Sequence, residues 1–313
     1  MAPANNNFGL RTREMGKAGQ FALNRAAQDG HISYSSAATL SARWQQVAAA
    51  LKQEGVKKLE HITHNSVKKY GEVLAQRVNG GEISASHAQN TISAVNTVLS
   101  LASEGRWTSV KPVADCGIKQ RSTVRDVPII MNYEPVNNAV NDLKKNGNDN
   151  GAVVLELARE FGLRAKEASL LDARAALQQA REKELVVIEN GTKGGRERTV
   201  PIVSESQIAV LEKAVAVQAN ARSLVPADQT WVQWQRGGLR EAREALQRHG
   251  IARIHELRAA YAAERYQTFS GQPIPLHGGD PNHPKDRGAR LQVAVELGHG
   301  RIDVVSAYLG GCR

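Results

Sequence analysis

Apolar residues recur at helical spacing through the first hundred positions of this chain of 313 residues. Four of them, separated by four, three and four residues, lie on one face of a helix: Leu40, Trp44, Val47 and Leu51. Three further helices are predicted from similar spacing or from cap-forming residues: residues 13–28, the residues that follow the cap-forming THNS at 63–66, and residues 92–102. Residues 1–110 are therefore predicted to form a helical domain.

The pattern changes after residue 105. Residues 105–130 lose helical periodicity and contain glycine, proline and five basic residues, which predicts an inter-domain linker at 111–130. Beyond it the predicted elements are mixed. Helices are predicted at about 133–146 and 151–160, followed by two β-prone runs around an Asn-Gly turn in KELVVIENGTKGGRERTVPI. Helices are predicted again from 204 to the end, interrupted by a loop at 269–288. The predicted fold class is mainly α with a small β-sheet, with residues 131–313 as a mixed α/β domain.

The charge balance suggests a polyanionic partner. Lys and Arg outnumber Asp and Glu by 41 to 31, a net charge of +10. Residues 1–130 hold 16 basic and 9 acidic side chains, and residues 131–313 hold 25 and 22. Nucleic acid or an anionic membrane surface would fit this excess, and the front of the chain is the stronger candidate for binding phosphates.

Several classes of protein are excluded. Cys116 and Cys312 are too few for a disulfide framework or a cysteine zinc site, so we expect a cytoplasmic protein without a metal or cofactor. The N-terminal sequence lacks the apolar core of a signal peptide, and no apolar run is long enough to span a membrane. A soluble protein is therefore predicted.

Four short stretches carry candidate chemistry, although each has an ordinary explanation when taken singly. They are GLRAKEASLL with Arg164 and Glu167, TKGGRERTVP with Lys193, HELR with His255 and Arg258, and ELGH with His299, followed nine residues later by Tyr308. Singly they read as a surface ion pair, a solvated turn lysine, a structural histidine and a C-terminal helix docked into the core.

Other motif interpretations fail. The lysine stretch lacks the residue order of a nucleotide-binding P-loop, and a zinc-protease helix would need histidine at Ala259. His277, Asp280 and His283 in the 269–288 loop offer metal-ligand residue types, but we interpret their proximity in a Gly/Pro-rich loop as incidental.

Together the four stretches are suited to phosphodiester chemistry. Arginine binds phosphate oxygens bidentately and keeps its charge, and Arg164 and Arg258 supply two such groups. A tyrosine hydroxyl can attack phosphorus when its proton is accepted, which makes Tyr308 the candidate nucleophile. The remaining candidates are a proton donor for the leaving oxygen and groups that bind phosphate or relay a proton: Lys193, His255 and His299.

In this order and context the motifs closely resemble the tyrosine recombinase (phage integrase) family. The resemblance covers residues 150–310, whereas the helical front half is similar to that family's core-binding domain only in kind. It implies that Tyr308 attacks the scissile phosphate to form a 3′-phosphotyrosyl link, and that religation needs neither ATP nor metal. The other active-site residues that it implies are Arg164, Lys193, His255, Arg258 and His299.

Two departures from the family pattern concern the end of the chain. Forty residues separate Arg258 from His299, a surplus that we assign to 270–288, and five residues follow Tyr308. The expected function is a site-specific DNA recombinase, an integrase of a mobile element, acting as a homotetramer on two duplex DNA sites, with accessory DNA-bending proteins as further candidate partners.

Alternative functions remain open. Within the enzyme class they are a dimer-resolving recombinase and a topoisomerase-like nicking-closing enzyme. Outside it, one alternative is a catalytically inactive DNA-binding protein that kept the fold. An RNA-binding protein fits the charge but explains none of the motifs, and aromatic residues are only 4% of the chain, too few to suggest base-stacking platforms.

Overall fold

The structure, a computed structural model, describes residues 6–311, so Cys312 lies outside the described residues. The chain divides into two compact units, residues 1–122 and 123–313. This division falls inside the segment predicted as a linker, and the roles predicted for the two domains stay predictions. No helix in the described part of the chain is long and apolar enough to cross a bilayer.

The first unit is built from four helices. They are α1 (Met15–Gln28), α2 (Tyr34–Gln53), α3 (His64–Asn79) and α4 (Ala85–Ala102). Three of the helices begin at hydroxyl caps, in which Ser33, Thr63 and Ser84 accept a hydrogen bond from a backbone N–H three residues later. Each of these helices corresponds to one predicted from apolar spacing or caps, because buried faces repeat at the period of the helix.

Trp44 organises the centre of this unit. Its side chain is fully buried, and its indole Nε1 donates a hydrogen bond to the carbonyl oxygen of Gly16 at 3.1 Å. A Cβ atom at Gly19 would lie 2.1 Å from the indole nitrogen, so α1 approaches α2 closely only because residue 19 has no side chain. The aromatic ring therefore sets the spacing between α1 and α2.

The segment after α4 continues the first unit without regular secondary structure. The amide of Asn96 binds both backbone groups of Val110, donating to its oxygen at 2.8 Å and accepting from its N–H at 3.0 Å. Val110, Cys116 and Ile118 are buried in the unit's core. Part of the segment 111–130 is thus packed rather than free, because its few apolar residues fill the core of the helical unit.

The second unit is mostly helical. Its helices are α5 (Glu134–Lys145), α6 (Asp149–Glu160), α7 (Ala165–Ser169), α8 (Ala173–Lys183), α9 (Glu205–Gln218), α10 (Trp231–Arg236), α11 (Gly238–Arg248), α12 (His255–Ser270), α13 (Asp286–Glu296) and α14 (Ser306–Leu309). The strands are β1 (Leu185–Ile188) and β2 (Arg198–Pro201), which pair antiparallel. The predicted fold class, mainly α with a small β-sheet, is confirmed.

Two helices form the middle of the second unit. Apolar residues lie around most of α6, whose neighbours include α5, α9, α11 and α12, and the run from Gly151 to Leu155 is buried throughout. Helix α12 is buried along most of its length, from Leu257 to Tyr266. Because most of each helix is buried, packing against the neighbouring elements sets where the residues at the ends of α6 and α12 lie.

The connection between the strands contains the predicted turn at Asn190 and Gly191 but is longer than that turn. Ile188 pairs with Arg198, so residues 189–197 form a long loop that contains a short 3₁₀ turn at Lys193–Gly195. A two-residue Asn-Gly turn of type I′ requires positive φ at both positions, and only Gly191 (φ +76°) has it here. The two strands and the turn at Asn190 and Gly191 are as predicted, but the turn is only the first part of a longer connection and is not of type I′.

The loop between α12 and α13 is closed on itself. The Gln272 amide donates to the backbone oxygen of Asp280 at 2.8 Å and accepts from its N–H at 3.1 Å. The three residues considered as metal ligands each contact a different backbone N–H. His277 Nε2 accepts from the Ile129 N–H, His283 Nδ1 accepts from the Lys285 N–H, and the Asp280 carboxylate accepts from the Asn282 N–H.

Candidate active site

The first element of the site is the sharp junction between α6 and α7. Gly162 has a φ of +59°, and a Cβ atom there would lie 2.5 Å from the ring of Tyr261, so the chain reverses only with glycine at this position. Arg164 then begins α7 as its N-cap residue. Its backbone N–H donates to Glu167 Oε2 at 2.8 Å, and its guanidinium donates to Oε1 at 2.5 Å.

Glu167 is the centre of an arginine cluster. The carboxylate is fully buried and also accepts a hydrogen bond from Arg198 Nη2 at 2.8 Å, while Arg258 Nη1 lies 3.7 Å from Oε2. Burial alone would raise the pKa of Glu167, but the hydrogen bond and charge of Arg198, the Arg164 N–H and the charge of Arg258 lower it to about 2. The carboxylate is therefore ionised at neutral pH and orients three guanidinium groups.

Arg258 connects this cluster to the end of the chain. It lies in the first turn of α12, is completely buried, and donates to the backbone oxygens of Gly162 and Leu297. Its Nε donates to the hydroxyl oxygen of Tyr308 at 3.3 Å. Burial lowers the pKa of Arg258 to about 10, which still leaves the group charged at neutral pH.

The hydroxyl of Tyr308 lies at the centre of a polar cluster although the residue is only 4% exposed. Its ring centroid is 5.2 Å from that of His255 and 5.5 Å from that of His299. The structure thus places His255, Arg258 and His299 around Tyr308, while Arg164 is connected to them through Glu167, which lies 3.7 Å from Arg258. Val305 and Leu309 beside the tyrosine are fully buried, so the C-terminal segment is packed into the core as well.

Three contacts seat the short helix α14 that carries the tyrosine. The N–H of Arg125 donates to the Ser306 oxygen at 3.0 Å, and Nη1 of the buried Arg290 donates to the Gly310 oxygen at 3.0 Å. A Cβ atom at Gly310 would lie 2.7 Å from Cγ of Leu276, which belongs to the loop between α12 and α13. The surplus segment 270–288 therefore contacts the chain just after Tyr308.

The two histidines are held in the neutral form. The pKa values of His255 and His299 are both lowered to about 4. Partial burial is the largest cause, and the positive charges of Arg258 and Arg164 are the next. His255 keeps an exposed surface at the start of α12, so solvent screens the neighbouring charges more at His255 than at His299. The buried Nε2 of His299 has no hydrogen-bond partner within residues 6–311, which leaves it available to a ligand at the tyrosine.

Lys193 stands apart from the other five residues. It lies in the exposed 3₁₀ turn between β1 and β2, and its amine makes no hydrogen bond or ion pair with the described residues. The loop is nevertheless attached to α7 at its base, since a Cβ atom at Gly191 would lie 2.8 Å from the Lys166 carbonyl oxygen. The backbone next to Lys193 thus lies against α7, which carries Glu167, whereas the lysine side chain itself has no hydrogen bond or ion pair with the arginine cluster.

Sequence reasoning missed Arg198 as a member of the site. On β2 its side chain points inward with that of Val200, and its Nε donates to the Glu296 carbonyl oxygen at 2.9 Å. The alternation of buried and exposed positions in RTVP was a usable signal, because two residues apart on a strand share a face. A basic residue on the buried face of a strand needs an anionic partner, which here is Glu167.

A second buried ion pair supports the same region and was also missed. Arg265 donates to both carboxylate oxygens of Glu296, at 2.7 Å from Nη2 to Oε1, and the Tyr261 hydroxyl donates to Oε2 at 2.8 Å. These contacts join α12 to the end of α13, from which Leu297 and His299 follow. No local sequence pattern reveals them, since the partners are about thirty residues apart.

Comparison with known families shows what this chain is similar to. Residues 124–264 match the family model described as Integrase, a range that contains Arg164, Lys193, His255 and Arg258 and ends before His299 and Tyr308. No curated protein sequence matches the chain.

The fold is similar to those of several solved structures. An XerH site-specific recombinase bound to a palindromic difH substrate has a TM-score of 0.60 at 14% identity, covering 94% of this chain and 80% of that one. A lambda integrase dimer bound to a COC′ core site has a TM-score of 0.58 at 14% identity, covering 92% and 75%. A Tn1549 transposon integrase in complex with transposon right end DNA has a TM-score of 0.57 at 12% identity, covering 94% and 95%.

At these identities the structural similarity supports the assignment of the fold alone. The family match covers most of the second unit. Residues 124–264 thus match the Integrase family model, and the fold of the chain is similar to that of the tyrosine recombinases named above.

Proposed function

We propose that this protein is a site-specific DNA recombinase that cuts and rejoins duplex DNA through a covalent tyrosine intermediate. The observation that carries the proposal is the contact of Arg258 with the Tyr308 hydroxyl, inside a cluster that also holds Arg164 and His299. A guanidinium beside the phenol oxygen can bind a phosphate next to the attacking group, and fixed cations are what a phosphorane transition state requires.

The reaction that we propose is a phosphoryl transfer. The Tyr308 oxygen attacks the scissile phosphorus while the bond from phosphorus to the 5′-oxygen breaks, and Lys193 gives a proton to that leaving oxygen. One neutral histidine of the cluster accepts the tyrosine proton, the other binds a phosphate oxygen, and the arginines neutralise the phosphate. In religation a 5′-hydroxyl attacks the phosphotyrosine and gives its proton to Lys193, while the histidine returns a proton to the Tyr308 oxygen as it leaves.

The proposed partner is duplex DNA, and the proposed assembly is a homotetramer on two sites. The net charge of +10 supports a DNA partner, and the solved relatives named above are bound to DNA. A lambda integrase has also been solved as a tetramer bound to a Holliday junction. We further propose a cytoplasmic protein that serves a mobile element, for which the likeness to a transposon integrase is the supporting observation.

Covalent trapping tests this function. Binding sites selected from random DNA would be converted into nicked suicide substrates, from which the released strand end diffuses away after cleavage. The native chain should form an adduct that migrates as protein plus DNA on a denaturing gel. Tyr308→Phe should bind the same DNA with nearly unchanged affinity and form no adduct, because only the hydroxyl is lost.

Two results would contradict the proposal. An adduct formed by Tyr308→Phe would place the nucleophile elsewhere. No adduct from the native chain on any selected site, with DNA binding intact, would favour a DNA-binding protein that kept the recombinase fold.

A further inference from the structure

The loop that carries Lys193 touches the backbone of α7 at one residue. Gly191 has a φ of +76°, and a Cβ atom there would lie 2.8 Å from the Lys166 carbonyl oxygen and 3.0 Å from the Glu167 nitrogen. Real Cβ atoms do not approach backbone atoms this closely, and the backbone of a hydrogen-bonded turn cannot rotate away as a side-chain end can. The loop lies here because residue 191 is glycine.

The far end of the same loop is attached to α7 as well. Arg198, the first residue of β2, donates to Glu167 Oε2 at 2.8 Å and to the Glu296 carbonyl oxygen at 2.9 Å. Between these two attachments, residues 193–197 are all exposed. The loop therefore has a fixed base on both sides and a free tip that contains Lys193.

We propose that Gly191 is a positioning residue for Lys193: the close contact of its backbone with α7 holds the loop where the lysine can reach the leaving oxygen. This inference rests on the proposed function, in which Lys193 is the proton donor. Two residues of chain span at most about 7 Å, so the position of Gly191 limits where the Lys193 side chain can begin. The contact is made on the helix that begins at Arg164, so it fixes the loop relative to the phosphate-binding cluster.

The experiment compares two DNA substrates that differ in one atom. In ordinary DNA the 5′-oxygen must receive a proton as its bond to phosphorus breaks, whereas a bridging 5′-sulfur leaves as a thiolate without one. Gly191→Ala should cleave ordinary DNA about 10- to 100-fold more slowly, part of the roughly 10²- to 10⁴-fold that a general acid contributes. On the sulfur substrate it should cleave within about threefold of the native rate, because proton donation is no longer needed.

Gly194→Ala is the matched control. Gly194 has nearly the same backbone conformation, with a φ of +77°, but a Cβ atom there has nothing within 4 Å. Both variants therefore carry the same backbone strain in the same loop, and only Gly191→Ala adds the collision with α7. Gly194→Ala should cleave both substrates at nearly the native rate. Slow cleavage of ordinary DNA by both variants, rescued alike by sulfur, would overturn the role of the contact.

A third variant keeps the inference testable if Gly191→Ala does not fold. One glycine inserted between Thr192 and Lys193 leaves the contact at Gly191 intact and moves the lysine along the loop. It should give the same pattern, slow on ordinary DNA and rescued by sulfur. Equal rates on ordinary DNA for the insertion variant and the native chain would contradict the inference.

Lys193→Ala separates this inference from the function on which it rests. It should be slow on ordinary DNA and rescued by sulfur. If it is rescued and Gly191→Ala is slow on both substrates, or fast on both, the positioning role is wrong and the proton donor stands. If sulfur does not rescue Lys193→Ala, the assignment of the donor is wrong and the inference falls with it.

Discussion

Replacing Glu167 by glutamine should destabilise the second unit by about 3 kcal/mol at pH 7. The difference between a pKa of about 2 in the folded protein and the ordinary 4.5 of glutamate corresponds to about 3 kcal/mol of stability. Removing one partner from a buried ion pair costs about 3 to 5 kcal/mol in measured cases, which agrees with this value. Glutamine keeps the shape of the side chain but leaves three guanidinium groups without their shared anion.

The pH dependence distinguishes lost charge from altered packing. Because the folded pKa is depressed, the stabilisation is complete above about pH 4.5 and is lost as the pH falls towards 2. The stability difference between the native chain and Glu167→Gln should therefore shrink to roughly half of its neutral value by pH 3. Glutamine does not titrate, so the variant lacks this contribution at every pH.

Scanning calorimetry is the assay, because it separates the transitions of units that unfold independently. For a unit of this size, about 3 kcal/mol lowers the melting temperature by roughly 6 to 12 °C. Glu212→Gln is the matched control, since the Glu212 side chain is 52% exposed and pairs with Arg181, which is 59% exposed. It should change stability by less than about 1 kcal/mol. A difference for Glu167→Gln that is the same at pH 7 and pH 3 would refute the electrostatic explanation.

Two further predictions concern the residues around the tyrosine. Arg258→Lys should slow cleavage by about 10²-fold or more in single-turnover assays, because an ammonium group cannot bind two backbone carbonyls and the tyrosine hydroxyl in the geometry of the guanidinium. Arg181→Lys, at an exposed site, is its control, and native rates for Arg258→Lys would contradict the assignment. The pKa of His299 is lowered to about 4 in the folded protein, so between pH 6.5 and 4 this side chain binds a proton more readily in the unfolded chain. The folded state should therefore lose stability as the pH falls through this range. His299→Gln should show a flatter dependence of melting temperature on pH over this range, and an unchanged slope would show that the ring is not held neutral.

Local pattern was sufficient to predict the helices of the first unit and the two strands of the second. Apolar residues at helical spacing and capping hydroxyls act within a few residues of each other, so they appear directly in the sequence. The candidate residues Arg164, His255, Arg258, His299 and Tyr308 were also predicted, because each belongs to a short motif. Their assignment as a functional set depended on a family resemblance, since singly each has an ordinary structural explanation.

Tertiary structure decided which partners these residues have. Glu167 looks like a surface helix residue beside Arg164 in the sequence, but in the folded chain it is fully buried and also binds Arg198, thirty-one positions away. The turn at Asn190 and Gly191 was predicted, but the long connection to β2 was not, and in it Gly191 lies against the backbone of α7. Contacts between distant segments depend on how helices pack, and no pattern within a few residues encodes them.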